Sequence, residues 1–136
     1  MVKVSKIHKV IKSFSGKGFS YGVFDCCIFA KNVIETATDA PIDFGGEYDG
    51  SKESIKKLFK STGSRNLRDY LQWIAGHNGW KPRDKNRLRA WDFVIIKTGR
   101  RTLAAIWDGS QVLAATNEGI VSLRADCILD AYRVVV

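Results

Sequence analysis

The sequence predicts an α+β fold in which N-terminal helices pack on a C-terminal antiparallel sheet. Three observations carry this. Up to about residue 80, apolar residues recur at the spacing of one helix face. Beyond it they gather into short runs of strand length. Between two of those runs stands Asp108-Gly109, a tight-turn signal that joins antiparallel neighbours.

The elements follow in order. Residues 3–14 set Val4, Ile7, Val10, Ile11 and Phe14 on one helical face, with Lys3, Lys6, Lys9 and Lys12 mostly opposite. Gly16, Gly18 and Gly22 then read as a flexible connection. Asp25 is the expected N-cap of a second helix whose stripe is Cys26, Phe29, Ala30, Val33 and Ala37. Pro41 ends it, because the residue before a proline is pushed out of the helical region. Phe44 to Gly50 reads as an ordered loop. Ser51 caps a third helix carrying Ile55, Leu58 and Phe59, stopped by Gly63. A fourth helix spans about Asn66 to Ala75, with Leu67, Tyr70, Leu71 and Ile74 inward and a Gly76-His77-Asn78-Gly79 turn behind it. Strands are expected at 91–97, 102–107, 112–116, 120–123 and 131–136, forming a meander with a turn at Asn117-Glu118-Gly119.

A chain of 136 residues fits one domain able to bury its own core. Its apolar runs fall far short of a bilayer span, so no membrane insertion is expected. The lysine-broken N-terminus does not read as a secretory signal. Three cysteines (Cys26, Cys27, Cys127) form an odd set without zinc spacing, which points to a reducing compartment. Two histidines, His8 and His77, are too few for a histidine-rich metal site, and no cofactor is expected.

The net charge is +8, from 22 Lys+Arg against 14 Asp+Glu. It is segmental. Residues 1–20 hold five lysines and no acid, residues 21–50 hold six acids against Lys31, and residues 81–101 hold eight basic residues against Asp84 and Asp92. Differently charged faces fit this pattern better than a uniformly basic coat. Lys81, Arg83, Lys85, Arg87 and Arg89 lie between Trp80 and Trp91, and Arg100 and Arg101 follow. These seven are the candidate contacts to a partner or an anion. They suit either a solvated loop whose ends Trp80 and Trp91 anchor in the core, or a protein interface, where Arg and Trp serve as anchors, with the acidic 39–50 loop as a complementary surface. A phosphate-contacting segment at 81–101 is the alternative, although no nucleic-acid-binding motif accompanies it.

One arrangement suggests catalysis. Tyr21-Gly22-Val23-Phe24-Asp25-Cys26-Cys27 leads into a helix, and a thiol at a helix N-terminus has its pKa lowered. Position alone fits small buried core residues better, because a nucleophile also needs a base. Asp92 and Asp108 read as structural residues, the first at a strand start and the second in a turn.

The order of these pieces resembles the NlpC-type branch of the papain-like cysteine peptidases. It is more similar still to a family of small tailed-phage proteins of that fold, whose genes lie among tail genes. The matching pieces are Tyr21-Gly22, Asp25-Cys26-Cys27, Gly46-Glu47-Tyr48, Trp91-Asp92-Phe93-Val94 (similar to the family's Gly-Asp-Val-Val strand) and Tyr132-Arg133-Val134. The resemblance covers about residues 18–136 and implies an NlpC-like domain there, and the basic helix at 1–17 precedes it, outside the resemblance. It places Cys26 at the family's nucleophile and Leu103 where active members carry histidine. Leucine cannot move the thiol proton. His77 is the substitute base to consider, by a route the family does not use.

The resemblance therefore implies a degenerate, non-enzymatic domain kept as a structural or assembly component of a phage or prophage tail, near its tip or hub. Such a protein would be assembled in the host cytoplasm, carried in the virion and partnered by other tail proteins. Two alternatives stand beside it: an active peptidase or amidase acting on peptidoglycan through Cys26, and a nucleic-acid-binding module using residues 81–101.

Overall fold

Among the described residues, four helices precede the sheet: α1 (Val2–Phe14), α2 (Gly22–Thr38), α3 (Lys52–Thr62) and α4 (Leu67–His77). The computed structural model describes residues 2–14, 22–39, 41–48, 51–116 and 119–134. The expected Gly16–Gly18 connection, Tyr21 and the Asn117-Glu118 part of the expected turn lie outside them.

The start and stop of α3 follow from single residues. Ser51 is extended, and its hydroxyl accepts the Ser54 amide at 3.1 Å, which satisfies one orphan donor of the first turn. Gly63 closes the helix at φ 70, a left-handed conformation that costs glycine nothing, and its amide bonds back to Lys60. Ser51→Ala is expected to cost about 1 kcal/mol, read as a shifted urea midpoint at unchanged slope. An unmoved midpoint would mean that water serves the Ser54 amide equally well.

Two helix ends differ from expectation. α2 starts at Gly22, so Asp25 lies inside the first turn and does not cap it. Nothing in Val23-Phe24 breaks a helix, and the turn extends back to the nearest glycine. α4 runs past Ala75 through His77, so His77 is helical and not a turn residue. Asn78 makes this possible: its backbone amide and its side-chain Nδ2 both donate to the Ile74 carbonyl, at 2.9 and 2.8 Å.

Among the described residues six strands follow: β1 (Lys81–Pro82), β2 (Phe93–Thr98), β3 (Arg101–Trp107), β4 (Val112–Thr116), β5 (Gly119–Leu123) and β6 (Ile128–Arg133). They form one antiparallel sheet in the order β1-β6-β2-β3-β4-β5. Only β2 to β5 make the expected meander. β6 crosses back to the far edge of β2, pairing Phe93 with Tyr132 and Val94 with Ala131. The reason lies in β2, where Phe93 to Ile96 are all buried. Such a strand is central, and its backbone needs ladder partners on both edges.

β6 also begins three residues before the expected 131. Its register against β2 shifts between Ile95 and Ile96, which leaves Leu129 without a β2 partner. A bulge of this kind breaks the period-two pattern by which a strand is read from sequence.

The core joins Phe29, Val33 and Ile34 of α2, Tyr70, Leu71 and Ile74 of α4, and the buried runs of β2, β3 and β4. α1 packs against α2 and contributes Ile7, 1% exposed, to the same core. The basic helix and the rest of the chain therefore share one hydrophobic interior.

Candidate functional site

Cys26 is the fifth residue of α2, on the stripe that packs against β3 and β4. It is fully buried, with 0% exposure. Its sulfur accepts the Ala104 amide at 3.3 Å. Strand register explains this contact. Ala104 pairs with Ile95 on the β2 side, whereas β4 pairs only with Ile106 and Trp107 of β3. The α2 thiol thus receives an amide of β3 in a stretch that the β4 ladder does not reach. A buried N–H left without an acceptor would cost about 1–3 kcal/mol, so the thiol has a structural task.

Chemistry at this thiol would need a base and a path for substrate. Leu103, the residue before the amide donor, is 2% exposed and apolar. His8 is exposed on α1. His77 is engaged elsewhere: its Nε2 lies 2.9 Å from Asp43 Oδ2, and its ring stacks on Trp73 with centroids 4.3 Å apart. The structure therefore does not bring Cys26 and His77 together as a nucleophile and its base. Cys27 is also buried, and Cys127 bonds to the Arg124 carbonyl at 3.0 Å. Burial, then Asp126, pushes the Cys127 thiol up, away from a reactive thiolate.

His77 instead belongs to a clamp on the 41–48 loop. The amide of Asp43 donates to Asn78 Oδ1, and Asn78 Nδ2 donates to the Asp43 carbonyl. The Gly45 amide, and after it His77, hold the Asp43 carboxyl below the usual carboxylate range. Burial pushes the Tyr70 hydroxyl up and keeps it protonated, and it donates to the Phe44 carbonyl at 2.8 Å. The loop is fixed by α4 from beneath.

Lys81, Arg83, Lys85, Arg87 and Arg89 are all exposed, while the backbone of their loop is pinned. Arg133 donates to the Arg87 carbonyl, and the Arg89 amide donates to buried Asp92. The flanking tryptophans face inward. Trp80 is buried against Phe93 and Trp91 is half-buried, so neither is an exposed platform for base stacking.

Four of the seven candidate basic residues divide between two hollows. Arg83 and Lys85 line one of about 200 Å³ with Leu129 and Asp130 of β6. Arg100 and Arg101, at the β2–β3 hairpin, line another of about 440 Å³ with Arg68 of α4. Asp130 links the two, because its carboxylate also holds Arg68 through bonds of 2.8 and 3.2 Å. Sequence reading missed Arg68, Leu129 and Asp130. Arg68 looked like any solvent-facing helix residue, and the bulge hid Leu129.

Among the described residues, no group of three or more His, Cys, Asp or Glu could hold a metal ion. No helix among them is long and apolar enough to cross a membrane. Residues 3–134 match the model of a family described as a domain of unknown function, DUF6950. No curated protein and no solved structure matches the chain.

Proposed function

The chain belongs to the DUF6950 family, and we propose that it is a non-catalytic assembly component of a phage or prophage tail, built on an NlpC-type papain-like scaffold whose thiol has become structural. The observation that carries the non-catalytic part is Cys26: fully buried, bonded to the Ala104 amide, and next to Leu103 where a base would stand. Loss of general acid–base catalysis alone removes roughly 10²–10⁴-fold in rate, which leaves the fold more useful as a shape than as an enzyme.

Two details support the scaffold assignment. α2 sets Cys26 against β3 at the Leu103–Ala104 position, where a nucleophile would need its histidine strand. Trp91 adopts φ 73, a left-handed conformation natural to glycine, and it stands where the resembling family carries the glycine of Gly-Asp-Val-Val. The tail assignment and the virion location rest on the sequence resemblance.

Native protein treated with iodoacetamide near pH 6 is expected to leave Cys26 unmodified by peptide mass mapping, with modification only after unfolding in urea at a pH raised to about 8.5, where an ordinary thiol ionises. Prompt, selective modification of native Cys26 would overturn the non-catalytic reading in favour of an active hydrolase. The tail assignment has its own test. Mass spectrometry of purified particles from a phage or induced prophage encoding this chain is expected to find it in the tail fraction, and its absence would overturn that assignment.

A further inference from the structure

We propose that the two basic hollows joined at Asp130 form one docking surface for an acidic, leucine-bearing segment of a partner protein. This deepens the assembly role proposed above and rests on it. Arg83 and Lys85 stand on one side of the Asp130–Arg68 pair, and Arg100 and Arg101 on the other. None of these four flanking cations forms an ion pair with a described residue, so their charge is available to a partner. Leu129 lies in the first hollow. It is the sole large hydrophobic among the described residues that is exposed, at 37%.

The combination selects the partner's chemistry. Exposed cations flanking one accessible aliphatic side chain match a segment that alternates carboxylates with an apolar anchor. A nucleic acid fits less well. A continuous phosphate track across this surface would pass the Asp130 carboxylate, whereas discrete carboxylates can avoid it. Of the two tryptophans near the basic loop, Trp80 is buried and Trp91 is half-buried against the core, so neither is a fully exposed stacking platform. The bulge at Leu129 also interrupts the β6 ladder, so recognition by side chains is favoured over simple strand addition.

The test uses the full chain and a fluorescein-labelled peptide of glutamates interspersed with leucines, measured by anisotropy at physiological salt. The double reversal Arg100→Glu with Arg101→Glu is expected to weaken binding by about tenfold or more. Leu129→Ser is expected to weaken it measurably at unchanged net charge. The double reversal Lys6→Glu with Lys9→Glu on exposed positions of α1 is the control, expected to stay within about twofold. All substituted positions are exposed, and thermal unfolding confirms that each variant folds.

Three outcomes would overturn the proposal. One is no peptide binding by the unmodified chain. A second is an equal loss from the α1 control, which would reduce the effect to net charge. The third is tighter binding of oligothymidine that is lost with Arg100→Glu and Arg101→Glu, which would assign the surface to nucleic acid. Peptide binding does not depend on Cys26. Cys26 modification with binding intact would sink the non-catalytic reading alone, and the converse would sink the docking surface alone.

Discussion

Replacing Asp92 with alanine is expected to destabilise the fold by about 3–5 kcal/mol, the largest effect of any single polar substitution among the described residues. The Asp92 side chain is 2% exposed, and its partner Arg133 is 19% exposed. The Arg133 guanidinium reaches both carboxylate oxygens, Nε to Oδ1 at 2.7 Å and a terminal nitrogen to Oδ2 at 3.1 Å. That bidentate fork is the strongest geometry an Arg–carboxylate pair has. Oδ2 also accepts the Arg89 amide at 2.9 Å. Around the side chain, the Asp92 amide donates to the Arg89 carbonyl and the Asp92 carbonyl accepts from Trp107. One residue thus ties the basic loop, β2, the end of β3 and the end of β6.

Truncating it strands the half-buried Arg133 guanidinium and the Arg89 amide together. Urea unfolding gives the cost directly. The double variant Asp92→Ala with Arg133→Met is expected to lose much less than the two single losses combined, because neither partner is then left unpaired. A single-variant loss below about 1 kcal/mol would show that the pair is solvated in solution and holds nothing together.

Most element boundaries were legible because single residues set them. Ser51, Gly63 and Asn66 act locally, through one side-chain acceptor or one left-handed turn, and such signals survive in a bare sequence. The placement of β6 was not legible. Pairing with β2 instead of β5 depends on which strand edge lacks a partner, a property of the assembled sheet and not of residues 128–133. The bulge at Leu129 then displaced the alternation that would have located the strand start.

Cys26 shows the same division. Its place on the buried stripe of α2 followed from helical spacing, but its bond to Ala104 depends on the β3–β4 pairing reaching no further along β3 than Ile106. Long-range register is invisible to a local pattern. The charge segments were legible as segments only. Arg83 and Lys85 share a surface with Arg100 and Arg101 because Asp130 of β6 and Arg68 of α4 come between them in space, though neither lies between them in sequence.

The 41–48 loop offers the second large effect. Gly45→Ala is expected to cost about 3 kcal/mol, from two separable sources. Gly45 has φ 82, a conformation that penalises any side chain by about 1–2 kcal/mol. A Cβ there would also lie 2.6 Å from Trp73 Cη2 and 2.8 Å from Cζ3, well inside contact distance. The indole has little freedom to retreat. It stacks on the His77 ring at 4.3 Å and lies parallel to Tyr70, which itself holds the Phe44 carbonyl. Pushing Trp73 aside therefore disturbs the Asp43–His77 pair and the loop clamp in one movement.

Gly79 separates the two sources, because its φ is 75 and a Cβ on it would meet no atom within 4 Å. Gly79→Ala is accordingly expected to lose only the conformational part, about 1 kcal/mol. The difference between the two alanine variants, read by urea unfolding with tryptophan fluorescence, measures the side-chain crowding, chiefly by Trp73 with Thr62 Cγ2 at 3.3 Å beside it. Equal losses at both positions would show that the loop yields freely around Trp73. The clamp built from Tyr70, His77 and Asn78 would then not hold this loop as a rigid part of the surface.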